Sequence, residues 1–223
     1  MPYLARAYQL TKSLLYHIYN RGNAKKEIFH SEEDYLYFIN ILISYSKNRD
    51  IKVYHWVVMP NHYHLLAELE NPKDLSSIMA GVGRSYVHYY HRKYQSAGHL
   101  FQDRFKSQPV EKESYLLACG RYIERNPIDA QLSILAEEYP YSSATFYVRA
   151  KQDGLTIESP SFASMGDSPL QRKERYTDFL RNYNREEEEA FEKVESPCGS
   201  QEFLRRLIRE RNIFVPRNGR PRG

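Results

Sequence analysis

The chain has 223 residues, of which 41% are hydrophobic, and its 32 basic and 28 acidic side chains give a formal charge of +4. This length predicts one main domain plus an extension, and so small a net charge is only a weak indication of a polyanionic partner. Two cysteines far apart, Cys119 and Cys198, exclude a disulfide framework and a cysteine-rich zinc site.

The sequence shows neither a signal-peptide pattern nor an apolar run approaching the roughly 18 residues of a membrane span. We therefore expect a soluble protein in the cytoplasm, with no membrane partner.

Hydrophobic periodicity and turn residues predict seven elements in the first 126 residues. In chain order they are a strand over 14–20, a helix that begins after Ser31, strands over 51–59 and 62–69, a helix over 73–94, a strand over 104–110 and a helix over 112–126. Pro109 restricts the last strand to a sheet edge or a bulge.

The order of these elements is typical of an α+β, ferredoxin-like fold, with an antiparallel sheet and helices packed on one face. We place this domain at 1–150. The remainder, 151–223, is predicted as a mostly helical extension, with a linker rich in Ser, Pro and Gly, an acidic helix at 185–195 and a basic tail. The arginines of the tail are Arg205, Arg206, Arg209, Arg211, Arg217, Arg220 and Arg222.

His62 and His64 are two residues apart in a predicted strand, so both side chains point to the same face, with Cα atoms about 7 Å apart. Two imidazoles at that separation can bind one metal ion. Polar surface or a hydrogen-bonded core position is the alternative for the pair taken alone. Its place directly after a Met-Pro-Asn turn favours a metal site.

Four motifs, in order, resemble those of REP-associated tyrosine transposases, which belong to the HUH endonuclease superfamily. The segment VVMPNHYHLL at 57–66 resembles the His-hydrophobic-His motif, with Tyr63 in the usually hydrophobic middle position. The resemblance covers about residues 10–148 and implies a ferredoxin-like core, a divalent metal and single-stranded DNA hairpins as substrate. The other three motifs are YHIYNRGN at 16–23, GHLFQDRFKS at 98–107 and RYIERNP at 121–127.

Tyr122 and Asn126 are four residues apart on a predicted helix, so their side chains share one face of it. Pro127 is expected to end this helix. The resemblance implies that Tyr122 is the nucleophile and that Asn126 completes a metal site with His62 and His64. Core packing of the tyrosine and helix capping by the asparagine are the alternatives. Tyr115 is the rival nucleophile, but the residue four positions later is a cysteine, a poor ligand for magnesium.

These assignments predict a nuclease that cleaves and rejoins DNA through a 5′-phosphotyrosine, with Mg²⁺ or Mn²⁺ as cofactor and zinc still open. Rejoining needs no ATP because the phosphotyrosine ester retains the energy of the broken bond. Two other functions remain: a hairpin-binding repressor that does not cut, and a metal hydrolase that uses water and forms no covalent adduct.

Basic residues interleaved with aromatic ones are the candidates for DNA contacts, although a solvated surface is the alternative for each. The ending Gly-Arg-Pro-Arg resembles an arm that inserts into the minor groove. A monomer and a homodimer are both compatible with the sequence. The candidates are Arg21, Lys25, Arg84, Arg92, Arg104, Lys106, Arg220 and Arg222.

Overall fold

The computed structural model describes residues 15–49, 51–69, 71, 74–182, 185–192 and 197–211. The strands are β1 (Leu15–Arg21), β2 (Ile51–Met59), β3 (His62–Leu69) and β4 (Lys106–Val110). The helices are α1 (Glu32–Asn48), α2 (Asp74–Tyr94), α3 (Lys112–Asp129), α4 (Ala144–Arg149), α5 (Pro160–Ala163), α6 (Pro169–Arg181), α7 (Arg185–Glu192) and α8 (Gln201–Arg211).

The four strands form one antiparallel sheet in the order β2-β3-β1-β4. With α1 and α2 as connections, this is the β-α-β-β-α-β topology of ferredoxin-like folds, so the predicted α+β fold class is confirmed. Met59 pairs with His62 across the two-residue turn between β2 and β3. Pro109 lies on the edge strand β4, as its missing N–H requires.

The helices cover both faces of the sheet, and the expectation of a single covered face was wrong. Tyr16 and Ile18 of β1 belong to the core under α1 and α2. Leu15 of β1 and Leu66 of β3 belong to a second core under α3. Because side chains alternate between faces and both sets are apolar, the strands lack the apolar–polar alternation that identifies an open face.

Pro127 does not end α3, which continues to Asp129. A proline within a helix leaves the carbonyl four residues earlier without its usual N–H donor, here the carbonyl of Ile123. The side chain of Asn126 compensates, since its Nδ2 donates to that carbonyl at 3.3 Å and to the carbonyl of Tyr122 at 2.8 Å. This substitution allows the helix to pass the proline.

Helices α5, α6 and α7 of the extension pack against α3. The segment predicted as linker contains the short helix α5 and two buried apolar side chains, Leu155 and Phe162. Tyr176 of α6 is fully buried and donates to a carboxylate oxygen of Glu124 on α3 at 2.7 Å. The boundary at residue 150 stays a prediction.

The acidic helix corresponds to α7, which is not simply a solvated charged helix. Phe191 is buried, and Glu188 accepts a hydrogen bond from Nε of the buried Arg121 at 2.6 Å. In the basic tail, α8 exposes Arg205, Arg206 and Arg209 and buries Phe203 and Leu207. The side chain of Arg211 and the residues Arg217, Arg220 and Arg222 lie outside the described part.

None of the helices described here is long and apolar enough to cross a membrane.

Candidate active site

Two elements, β3 and α3, bring the predicted site residues together on the face of the sheet that α3 covers. The rings of His62 and His64 on β3 have centroids 5.1 Å apart. The ring of Tyr122 on α3 lies edge-on to His64 at 5.7 Å. One turn further along α3, Oδ1 of Asn126 is 3.4 Å from Nε2 of His62. The strand parity and the helix spacing that suggested these four residues therefore place them in one cluster.

His62 is oriented by its neighbour Asn61. The Asn61 amide is fixed because its Nδ2 donates to the carbonyl of Lys25 at 3.1 Å, so that Oδ1 must accept. This oxygen is 2.5 Å from Nδ1 of His62, which identifies Nδ1 as the protonated nitrogen. Nε2 then carries a lone pair and faces Asn126.

The contact between His62 and Asn126 brings two acceptors together. Burial lowers the pKa of His62 to about 4, so the ring is neutral near pH 7 and has a single N–H, which Asn61 already uses. Asn126 Oδ1 is also an acceptor, because its Nδ2 donates to the helix carbonyls. Two lone pairs 3.4 Å apart repel each other, whereas ligands at about 2.1 Å from a shared cation are about 3.0–3.4 Å apart.

His64 is held by another histidine, His17 of β1. Nε2 of His17 is 2.7 Å from Nδ1 of His64, and Nδ1 of His17 is 3.3 Å from Oε1 of Gln108. Burial lowers the pKa of His17 to about 4, against an opposing effect of the Gln108 hydrogen bond. Burial also lowers the pKa of His64, with smaller contributions from His17 and His62. All three imidazoles are therefore neutral near pH 7.

Tyr122 is partly buried beneath the extension. The ring of Phe191 on α7 lies 5.9 Å from its ring, and His17 lies on another side at 5.8 Å. Burial, with smaller effects of Cys119 and Glu192, raises the pKa of Tyr122 above that of a free phenol. In this arrangement the hydroxyl stays protonated, so nucleophilic attack requires a field that favours the phenolate.

The rival nucleophile Tyr115 lies two turns earlier on α3. Its described ring contact is with Phe191, at 6.5 Å between centroids, whereas the ring of Tyr122 contacts His64 directly. The geometry therefore favours Tyr122 over Tyr115 as the tyrosine that shares a site with His62 and His64.

The donor set of the candidate metal site is two imidazole nitrogens and one amide oxygen. Within the described residues, no group of three or more His, Cys, Asp or Glu side chains is arranged to hold a metal ion. An amide oxygen is outside those residue types. Three neutral donors leave coordination positions for phosphate and water, as a catalytic site requires.

The basic candidates surround the site at different distances. Arg21 ends β1 opposite His62 in the β1–β3 register, and its Nε donates to Oε1 of Gln102 at 2.5 Å. Lys106 begins β4 opposite Tyr19, whose ring lies 4.7 Å from His64. The other described candidates are exposed, namely Lys25, Arg84, Arg92 and Arg104. Arg220 and Arg222 lie outside the described residues.

Comparison with known proteins decides the family. A family model described as "Transposase IS200 like" matches residues 10–126, slightly more than half of the chain. The chain belongs to the IS200-like transposase family. A solved structure described as "Structure of the REP associates tyrosine transposase bound to a REP hairpin" resembles this IS200-like chain with a TM-score of 0.56 and 19% sequence identity, covering 71% of this chain and 90% of that chain. A comparison with curated proteins found no match.

Sequence reasoning missed the residues that orient the two histidines of this IS200-like site. His17 and Asn61 both lie within the quoted motifs, but neither was assigned a role. His17 has the same strand parity as Tyr19, opposite His64, which would have placed it on the site face of β1. Gln108 and Phe191 gave no comparable signal, because they approach the site from β4 and from the extension.

Proposed function

We propose that the chain is a metal-dependent transposase-type nuclease that cleaves and rejoins single-stranded hairpin DNA through a 5′-phosphotyrosine on Tyr122. The observation that carries the proposal is the cluster of Tyr122 with His62, His64 and Asn126, in which Nε2 of His62 lies 3.4 Å from Oδ1 of Asn126. The membership in the IS200-like family supports the same reaction class.

Hairpin DNA is the proposed substrate because the structural relative of this chain was solved with a REP hairpin bound. The surroundings of the site support it: Arg21 and Lys106 flank the histidine pair on β1 and β4. Exposed Lys25, Arg84, Arg92 and Arg104 add positive charge for phosphates.

Four residues of the chain have distinct roles in the proposed cleavage reaction. A divalent ion held by His62, His64 and Asn126 would polarise the scissile phosphate and offset the charge that develops on the leaving oxygen. The Tyr122 phenol gives its proton to a base or water and bonds to phosphorus, while the bond from phosphorus to the 3′ oxygen breaks. That oxygen takes up a proton, which leaves a 3′ hydroxyl and DNA joined to Tyr122 through its 5′ phosphate.

Rejoining is the reverse attack, in which a 3′ hydroxyl displaces Tyr122 from phosphorus and restores the phenol. The number of phosphate ester bonds is unchanged at each step, so neither direction consumes a nucleotide. Mn²⁺ fits the donor set better than Mg²⁺, since imidazole nitrogens favour the later metal, and Zn²⁺ is the third candidate.

The test compares Tyr122→Phe with Tyr115→Phe, which removes the same atom from the same helix. Wild-type protein, hairpin DNA labelled at its 3′ end and Mn²⁺ are incubated and separated on a denaturing gel. We expect a covalent protein–DNA band for the wild type and for Tyr115→Phe, and neither cleavage nor a band for Tyr122→Phe, with hairpin binding retained.

Other outcomes select the alternatives. A band that survives in Tyr122→Phe and disappears in Tyr115→Phe reverses the assignment. Cleavage in both variants without any band indicates attack by water and replaces the proposal with the hydrolase. Tight hairpin binding by the wild type, without cleavage in Mn²⁺, Mg²⁺ or Zn²⁺, indicates a binding protein.

A further inference from the structure

A buried chain of polar groups connects the extension to His64. It begins at the carbonyl of Ala190 on α7, to which Nε2 of Gln108 donates at 3.1 Å. Oε1 of Gln108 is 3.3 Å from Nδ1 of His17, and Nε2 of His17 is 2.7 Å from Nδ1 of His64. Gln108, His17 and His64 are exposed by 1%, 0% and 3%, so water does not compete for the contacts among these three side chains, while the bond to Ala190 is partly buried. We call this chain the His64 relay.

The hydrogen bond from Gln108 to Ala190 sets which group donates and which accepts at every contact of the His64 relay. A carbonyl accepts only, so the nitrogen of the Gln108 amide must face Ala190 and its oxygen must face His17. A neutral His17 therefore carries its proton on Nδ1 and is a bare acceptor at Nε2. His64 then carries its proton on Nδ1, which leaves the lone pair on its Nε2.

The same geometry disfavours the arrangement in which His17 donates to His64. If His17 donated from Nε2 to His64, its bare Nδ1 would face the bare oxygen of Gln108 within 3.3 Å. His64 would then carry its proton on Nε2, where it blocks metal binding. Each tautomer of His64 thus depends on a glutamine and a histidine far away in sequence.

We propose that His17 and Gln108 are positioning residues that hold His64 as the tautomer protonated on Nδ1, so that Nε2 is available to the metal. The inference rests on the metal site proposed above. It adds that the extension takes part in metal binding through Ala190, although α7 contributes no ligand. Metal-bound histidines commonly donate their second nitrogen to a fixed acceptor, and loss of that acceptor lowers metal affinity about 10–100-fold.

The first experiment measures Mn²⁺ affinity by calorimetry, without DNA, for the full chain and its variants. His17→Phe keeps a ring in the same space and removes the acceptor, while Gln108→Leu removes the group that sets the direction. We expect each variant to bind Mn²⁺ about 10–100-fold more weakly than the wild type. Gln108→Glu still offers an oxygen to His17 but loses the donor to Ala190, so its affinity should lie between that of the wild type and that of Gln108→Leu.

Two controls separate the relay from general loss of stability and from the proposed function. Tyr176→Phe removes a buried hydroxyl that bonds to Glu124, outside the relay, and should leave Mn²⁺ affinity unchanged. His64→Ala should abolish the site. A wild type that fails to bind Mn²⁺ overturns both the metal site and the relay, whereas wild-type affinity in both His17→Phe and Gln108→Leu overturns the relay alone.

The second experiment detects the tautomer directly and needs neither metal nor activity. In metal-free protein labelled with ¹⁵N in histidine, long-range proton–nitrogen correlation distinguishes the protonated from the bare ring nitrogen of His64. We expect protonated Nδ1 in the wild type and a mixture of tautomers in Gln108→Leu. Protonated Nε2 in the wild type, or an unchanged tautomer in Gln108→Leu, overturns the proposal.

Discussion

Acidification should destabilise the metal-free protein, and His17 should account for a defined share of the loss. Burial depresses the pKa of His17 from 6.5 to about 4, a difference that corresponds to about 3 kcal/mol of folding free energy. His17 is fully buried, so solvent does not screen this effect. The perturbation is the substitution His17→Phe, measured across pH.

The sign follows from which state binds the proton. Between pH 6.5 and 4, His17 is protonated in the unfolded chain and neutral in the folded one. The free energy of unfolding is therefore highest above pH 6.5 and falls as the pH drops to about 4, below which this group adds nothing further. His62 contributes in the same direction, since its pKa is also lowered to about 4.

Urea unfolding in EDTA at several pH values between 4 and 7.5 gives the two curves. The drop in unfolding free energy across this window should be smaller for His17→Phe than for the wild type, by about 3 kcal/mol. Leu42→Ala is the control, because it opens a cavity in the core under α1, on the face of the sheet opposite to His17, and should lower stability equally at every pH. Parallel curves for His17→Phe and the wild type would refute a neutral, buried His17.

Three further predictions concern α3 and the tail. Pro127→Ala supplies the N–H that Asn126 replaces, so it should raise stability, by up to about 3 kcal/mol in urea unfolding, yet weaken Mn²⁺ binding because the amide is released. Gly120→Ala should destabilise by about 1–3 kcal/mol in the same assay, since its Cβ would lie 2.7 Å from the buried His55 ring. Deleting 212–223 removes three arginines and retains the buried residues of α8, so the slope of log affinity for hairpin DNA against log salt should flatten by about 2.

The sequence predicted the local part of the site because that part depends on periodicity. A period of two places His62 and His64 on one face of β3, and a spacing of four places Tyr122 above Asn126 on α3. The sheet topology followed from the order of elements. These features can be predicted from residues that are close together in the sequence.

The rest depends on contacts between distant segments. The bond between His17 and Gln108 joins residues 91 apart in sequence, and the bond from Gln108 to Ala190 joins residues 82 apart. No local sequence pattern predicts either of these two hydrogen bonds. The same holds for α3, whose apolar face is clear in the sequence but whose choice of sheet face is not, because both faces are apolar.

Pro127 is an exception to the rule that proline ends a helix, because the side chain of Asn126 compensates for it. The proline was expected to end α3, and its backbone cost is real, since the carbonyl of Ile123 loses its usual donor. Asn126 supplies the donor from its side chain. The proline therefore does not end the helix but fixes the amide, which turns Oδ1 towards His62.

The three proposed metal donors are oriented in the same way, and all three are neutral. Each is oriented by hydrogen bonds that end on a backbone carbonyl, which forces the amide or imidazole to present a bare acceptor to the site. All three donors are neutral, so a bound divalent ion would keep its full charge for the DNA phosphate instead of sharing it with carboxylates. Neutral donors also bind the ion less tightly than carboxylates would, and the phosphate then supplies the missing negative ligand. Because linkage is reciprocal, hairpin DNA must raise the affinity for Mn²⁺ by the same factor by which Mn²⁺ raises the affinity for the hairpin. The carbonyls are those of Lys25 for His62, of Ala190 for His64, and of Tyr122 and Ile123 for Asn126.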